Sequence, residues 1–451
     1  MTRAVNRPPR GARTPRRTLI GVAAALALST LAVLPAPPFA ATPAAAEPAW
    51  ASTAHDYGVG VATASTCSAK ICVHRALSGP DAASAAWAEK TLRHADTAWR
   101  TLVDGHGYRA PAASPSSDGD ERFDVYLADL APQGQYGRAM SGDDVPGQTR
   151  RSRSYLVIEN DMAGMGRHAA ADLAATVAHE FFHAVQLNID DAEDTWFMEA
   201  SATWAETQVF PHLPRNRQYL MHGQVGRRGL PLDSPSGAYG NHVFVERLAA
   251  VAGRDAVRQV WNRLDASTGS RDENPLQAVA AVLAARDMTW RDFYTGFAVA
   301  NLTPGRSYPA HVGGTMQRPD TTVKLGPRRR STAQTARLPH LTSRVTAYKV
   351  ASSAKKRRLR ITITSTDPER TGAMVLVERK DGSLRRVPAR LSASGRATVT
   401  VLAKRKRVKR VLVVTTNTSR AFRDCGNDSG WTCGGMPVHD RTKVTVSAKL
   451  R

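Results

Sequence analysis

The segment Thr176-Val177-Ala178-His179-Glu180-Phe181-Phe182-His183-Ala184-Val185-Gln186 places two histidines four residues apart, with a glutamate directly after the first. On a helix, residues four apart stand one above the other on the same face. Two imidazoles so placed can share one zinc ion, and the intervening glutamate can take a proton from a water beside the metal. A third protein ligand would complete the set and leave one position open for water or substrate. Glu199, in Trp196-Phe197-Met198-Glu199-Ala200-Ser201-Ala202, is the candidate. Glu206, two turns further along the same helix face, is the alternative third ligand.

These residues need elements to hold them. Leu173, Val177, Phe181 and Val185 repeat every four residues and predict a helix with a buried stripe, with His179 and His183 beside it. Residues 195–210 read as a second helix. It carries Glu199 in its first turn, and the small side chains of Ala200, Ser201 and Ala202 permit close packing on the first. Residues 123–127 and 155–158 are apolar, partly β-branched runs and read as strands. A helix is expected over 82–103, and further helices over 240–252, 255–264, 275–285 and 290–300.

Ala-His-Glu-Phe-Phe-His-Ala-Val-Gln followed by Trp-Phe-Met-Glu-Ala-Ser-Ala-Thr-Trp-Ala-Glu resembles the gluzincin zinc metallopeptidases. The likeness is nearest to a group of secreted bacterial metalloproteases. With them the chain shares Asp124-Val125-Tyr126-Leu127-Ala128-Asp129, Tyr155-Leu156-Val157-Ile158-Glu159-Asn160-Asp161 and Tyr239-Gly240. The resemblance covers roughly residues 95–310. It implies an α+β architecture: a thermolysin-like zincin catalytic lobe with a mainly helical second lobe. It implies zinc on His179, His183 and Glu199, and Glu180 as general base. It also implies an oxyanion donor from the second lobe, either Tyr239 or its rival His242, and a strand before the zinc helix whose edge receives substrate. Fifteen residues separate His183 from Glu199, fewer than in thermolysin-like relatives, so the connection must be tight and their subsites do not transfer. No Gly-x-x-His follows His183, so the metzincin arrangement is absent.

The first eighteen of the 451 residues carry six arginines and no acid, and a sixteen-residue apolar run follows over 19–34. Ala44-Ala45-Ala46 offers a cleavage site, so residues 1–46 read as a signal peptide. As a helix the run would reach about 24 Å, short of the ~30 Å hydrocarbon core, which argues against a retained membrane anchor. Arg16-Arg17 leaves the twin-arginine route open beside general secretion. Export fits the four cysteines, which fall in two close pairs, Cys67 with Cys72 and Cys425 with Cys433. Local disulfides are expected from an oxidising destination. A four-cysteine zinc site would want C-x-x-C spacing, which is missing. Asp190, Asp191, Glu193 and Asp194 form an acidic loop between the two ligand helices, either simply solvated or a structural Ca2+ site.

Charge divides the chain. Residues 318–451 hold 32 basic and 8 acidic residues, whereas residues 47–317 hold 24 basic and 31 acidic. Residues 314–340 read as a linker rich in Pro, Gly, Arg and Thr, and from Arg344 onward helical periodicity disappears. Residues 341–451 then show short β-rich runs, with Asp381-Gly382 as a hairpin signal, and predict a small β-sandwich. The expected organisation is a signal peptide (1–46), a metallopeptidase domain (47–313), the linker, and a basic accessory sandwich. Its charge points to a polyanion, cell-wall polymer or DNA, against the plainer reading of a solvated basic surface. No nucleotide-binding loop or nucleic-acid recognition motif is present. The function expected is a secreted zinc endopeptidase acting on protein or peptide. Its alternatives are a zinc-stabilised surface adhesion protein without catalysis and a zinc amidase acting on cell-wall peptide.

Overall fold

Five strands form the sheet beneath the candidate site: β1 (Thr63–Cys67), β2 (Ile71–Ala76), β3 (Phe123–Ala128), β4 (Gly137–Asp144) and β5 (Ser152–Glu159). Their order is β1-β2-β3-β5-β4, with β2, β3 and β5 parallel and the two outer strands antiparallel to their neighbours. The computed structural model describes residues 55–114, 120–166, 168–354, 358–403 and 407–451. The expected signal peptide and the basic runs 355–357 and 404–406 lie outside these residues. Among the described residues no helix is long and apolar enough to cross a membrane.

This sheet departs from the sequence reading in two respects. β1 and β2, for which no strand is expected from the sequence, pair antiparallel and are closed by the Cys67–Cys72 disulfide across opposed residues. The strand before the helix that carries His179 and His183, β5, is interior rather than an edge. β4 lies outside it and supplies the open edge.

Helices α1 (Ala85–Trp99) and α2 (Ala169–Leu187) pack on the sheet, and α3 (Thr195–Val209) packs on α2. Every residue of α2 from Asp172 to Leu187 is buried, because sheet, α1 and α3 enclose it. The stripe read from the sequence is therefore only part of a face that runs all round the helix, as in any fully enclosed helix. Helices α4 (His242–Ala252), α5 (Asp255–Leu264), α6 (Pro275–Ala284) and α7 (Trp290–Ala300) build the second lobe and share one apolar core with the first.

The C-terminal part is β-rich. Strands β6 (Thr321–Leu325), β7 (Ser331–Leu338), β8 (Thr342–Val350), β9 (Arg358–Ser365), β10 (Thr371–Arg379), β11 (Leu384–Pro388), β12 (Arg396–Leu402) and β13 (Val408–Asn417) come first. The short pair β14 (Phe422–Arg423) and β15 (Met436–Pro437) precedes β16 (Thr442–Leu450). They form a five-stranded sheet, β11-β10-β13-β8-β6, and a four-stranded sheet, β12-β9-β16-β7, around their own core. The hairpin expected at Asp381-Gly382 joins β10 to β11 with Glu378 opposite Leu384. The expected linker, 314–340, is corrected: it contains β6 and β7, one strand of each sheet. Val323, Leu325 and Leu338 are buried in the sandwich core.

The outer face of the five-stranded sheet rests on the second lobe, where Ala298, Val299 and Leu302 meet Val345, Leu376 and Leu412. Polar contacts fix the join. Buried Asp233 accepts from His340 Nε2 at 2.9 Å and from the Thr432 N–H at 3.2 Å. Asp194 accepts from the Cys433 N–H at 2.7 Å, inside the loop closed by the Cys425–Cys433 disulfide. Both expected local disulfides are present.

Candidate metal centre

His179 and His183 leave α2 one turn apart, and Glu199 leaves the first turn and a half of α3 toward them. His179 Nε2 lies 3.1 Å from His183 Nε2, and Glu199 Oε2 lies 3.3 and 3.6 Å from these two nitrogens. Ligands roughly 2.0–2.1 Å from a tetrahedral zinc stand about 3.3–3.4 Å from one another. The three atoms therefore sit at the corners such an ion requires. Among the described residues this is the one group of three His, Cys, Asp or Glu side chains that converges in this way.

The opposite edge of each imidazole is held. His179 Nδ1 meets Glu206 Oε1 at 3.1 Å, and His183 Nδ1 meets Gln186 Oε1 at 2.6 Å. With acceptors at both Nδ1 atoms, the ring protons belong there and both Nε2 lone pairs face the centre. Glu206 is thus not a third ligand but the brace of His179. Gln186 was not singled out in the sequence. It lies three residues after His183 on the same helix face, and that spacing was the available signal.

The centre favours positive charge. Burial opposes ionisation of Glu199, yet its bonds to His179 and His183 hold the carboxyl down to about 2. Burial likewise opposes charge on His179, but Glu199 and Glu206 lift it to about 10. A pocket that binds a proton this firmly between buried carboxylates is chemically suited to a divalent cation in its place.

Glu180 is fully buried and points to the sheet side of the centre. Its Oε2 accepts the N–H of Ala139, on edge strand β4, at 2.9 Å, while Oε1 has no hydrogen-bond partner. Burial raises its pKa, against the lowering fields of His179 and His183. Gly137 makes the approach of β4 to α2 close. A Cβ there would lie 2.6 Å from Thr176 Cγ2 and 3.2 Å from Glu180 Cγ.

Tyr239 lies over the centre. Its ring stacks on His179 with centroids 5.6 Å apart and planes 5° from parallel, and its hydroxyl hydrogen-bonds Glu199. Tyr219 packs against it at 5.1 Å. His242, the rival donor, is buried in α4, and the described contacts connect it to neither ligand nor Glu180. Burial, reinforced by nearby His311, lowers its pKa to about 3. The acidic loop does not gather into a Ca2+ site, the alternative to a solvated loop, and Asp190 and Glu193 are buried. Asp190 pairs with Arg150, Asp191 accepts from Ser152, Glu193 caps the Asp194 N–H, and Asp194 turns to Cys433.

Residues 160–304 match a family of unknown function (DUF6055). The matched segment holds all three ligand candidates, Glu180 and Tyr239, and ends before the sandwich. No curated protein matches the chain. Solved structures similar to parts of it include the pre-peptidase C-terminal domain of a collagenase from Bacillus anthracis, at 12% identity. That match covers 30% of this chain and 99% of that one, with a TM-score of 0.20. A surface-associated copper-binding protein, CorA, of Methylomicrobium album BG8 matches at 10% identity, over 29% of this chain and 100% of its own, with a TM-score of 0.19. The periplasmic inhibitor of g-type lysozyme from Aeromonas hydrophila matches at 12% identity, over 29% and 96%, with a TM-score of 0.17. Likenesses this shallow carry no argument about function.

Proposed function

We propose that the chain is an exported zinc endopeptidase with a thermolysin-like, gluzincin-type catalytic lobe, acting on protein or peptide. One observation carries the reading. Glu180 Oε1 is buried with no hydrogen-bond partner, and the carboxyl lies within the fields of His179, His183 and Glu199. Leaving a buried polar atom unpaired costs on the order of 1–3 kcal/mol, more when it is charged. A metal site that only braced the fold would have no use for that oxygen, whereas a general base requires it.

Zinc supplies Lewis acidity, polarising a carbonyl and lowering the pKa of water toward ~7. His179 and His183 would hold it through Nε2 and Glu199 through Oε2. Glu180 is fixed at Oε2 by the Ala139 N–H, so Oε1 is free to take a proton from the attacking water and return it to the leaving amine. Its raised pKa makes it a better proton acceptor than an exposed carboxylate. Tyr239 swings its hydroxyl from Glu199 to the substrate oxygen as negative charge develops there. The open edge of β4 runs beside Glu180 and offers an extended substrate a strand to pair with. A signal peptide and two disulfides accord with export.

The test is digestion of an unbiased peptide mixture by wild type and Glu180→Gln. The variant should keep its fold and zinc while cleavage falls by several orders of magnitude. Cleavage at wild-type rate by the variant would overturn the mechanism. A zinc-loaded wild type that cuts no peptide would point to the adhesion protein, and one that cuts only wall peptides to the amidase.

A further inference from the structure

The four-stranded sheet of the sandwich has two faces of different character. Inward, Leu359, Ile361, Val401, Val444 and Val446 line the core. Outward, the alternate positions carry Arg337 on β7, Arg358 and Arg360 on β9, Arg396 on β12, and Lys443 and Lys449 on β16. All are exposed except half-buried Arg360. The remaining outward positions are Ser or Thr except Ala333 and Leu402, and some are bonded across strands, as Thr335 to Thr445 at 2.8 Å. These four strands contain no Asp, no Glu and no aromatic residue.

The cations are not merely near one another. Arg337 stands directly opposite Lys443, and Arg360 directly opposite Lys449. Like charges at opposed positions of an antiparallel pair work against the sheet. Among the described residues none of the six makes an ion pair or has another partner that would neutralise it. Two more basic runs adjoin the face in sequence, Lys355-Lys356-Arg357 just before Arg358 and Lys404-Arg405-Lys406 just after Ala403. Because the other sheet rests on α7, this face is the one turned away from the catalytic lobe.

We propose that the outer face of β12-β9-β16-β7 binds a flexible linear phosphodiester polymer with hydroxylated, base-free repeat units. Six unpaired cations call for a polyanion. The absence of any aromatic removes the stacking platform on which single-stranded nucleic acid is held. The face is a sheet of four strands, roughly 14 Å across from the usual strand spacing. A rigid duplex would meet it along a strip, whereas a flexible chain can lay successive phosphates on separate cations. The threonine and serine hydroxyls between them both donate and accept, which suits polyol hydroxyls as well as phosphate oxygens. This surface goes beyond the peptidase reading and does not rest on it.

The test uses the processed full chain and labelled poly(glycerol phosphate), followed by fluorescence anisotropy between about 50 and 200 mM salt. Wild-type affinity should fall steeply with salt. The variant Arg337→Ser/Arg360→Ser/Lys443→Ser/Lys449→Ser should bind at least tenfold more weakly, and its log–log salt slope should be shallower by up to about 3, at ~0.7 per phosphate on a single chain. Its unfolding temperature should be unchanged or higher, since two repulsive pairs are gone, and its metal content should not change. If the fourfold variant fails to fold, Arg337→Ser/Lys443→Ser, both exposed, should show about half the slope change. Wild-type binding by either folded variant, or affinity indifferent to salt, would overturn the proposal. So would tighter binding of duplex DNA with matched phosphate number through the same four residues, which would make nucleic acid the partner.

Discussion

Gln186 donates its side-chain N–H to the carbonyl of Met198 across 3.0 Å, one residue before Glu199, while its Oε1 receives His183 Nδ1 at 2.6 Å. A second bond from the same amide reaches Ser201 Oγ at 3.1 Å. One neutral side chain thus sets the ring orientation of His183 on α2 and the position of the turn on α3 that carries Glu199. Replacing Gln186 by Leu removes both functions and leaves the Met198 carbonyl, of its side-chain bonds, only the one from Ser201 Oγ at 3.3 Å. Loss of an outer partner of a metal ligand typically weakens metal binding by about 10–100-fold. Zinc affinity measured by competition with a chromophoric chelator should fall within that range. Retention of wild-type affinity in a folded Gln186→Leu would show that the helix pair needs no such tie.

Tyr239 and His242 separate the two candidates for the oxyanion donor. Tyr239 stacks on His179 and bonds Glu199, whereas His242 has no described contact with the centre. Tyr239→Phe keeps the stacking ring and deletes only the hydroxyl. Loss of one such donor costs about 10²–10³ in kcat, with zinc content retained and KM little changed. His242→Gln should leave kcat within a few fold. The reverse ranking would exchange their roles.

Gly137 supports a test of how closely β4 must approach α2. A methyl at this position would collide with Thr176 and Ile158, at 2.6 and 2.9 Å, and press on Glu180. Overpacking a filled interior costs typically about 1–3 kcal/mol. Gly137→Ala should therefore lower the unfolding temperature and, by displacing Glu180 from the Ala139 N–H, reduce kcat/KM more than it reduces zinc content. Gly229→Ala, where nothing lies within 4 Å of the added carbon, is the control and should do neither.

The residues of the candidate centre were legible because their spacing is local: His179, Glu180 and His183 need only helical spacing, and Glu199 needs only the next helix. What was not legible depends on tertiary approach. Whether Glu206 is ligand or brace depends on which edge of His179 it meets, and a helical repeat cannot say. β4 escaped because Gly137-Arg138-Ala139-Met140-Ser141-Gly142 has neither β-branching nor clean alternation. Its place is set by pairing with β5 and by the Glu180 bond. β7 escaped for a related reason. Its inward residues Thr332, Gln334 and Ala336 are small or polar, because an edge strand covers little core, so Pro and Arg in the neighbouring sequence dominated the reading. The helical second lobe, with full 3.6-residue periodicity, was found nearly to the residue.

His340 gives the join between lobe and sandwich a pH dependence whose sign is fixed. The ring is buried, with Asp233 on Nε2 at 2.9 Å and Asp440 on Nδ1 at 3.3 Å, and it is flanked by Phe422 and Trp431. Burial alone would lower its pKa, but the two aspartates overcome this and raise it. A group whose folded pKa lies above its unfolded value binds more protons when folded. The stability it contributes is therefore fully present below the unfolded value, roughly 6.5, and is lost as pH rises from there through the folded value. His340→Gln removes the titration while leaving a polar side chain. The difference in unfolding temperature between wild type and His340→Gln should be largest at pH values below about 6.5 and shrink as pH increases above it. A difference that stays constant or widens toward alkaline pH would mean that His340 is neutral in the fold and meets Asp233 by an uncharged hydrogen bond rather than as an ion pair.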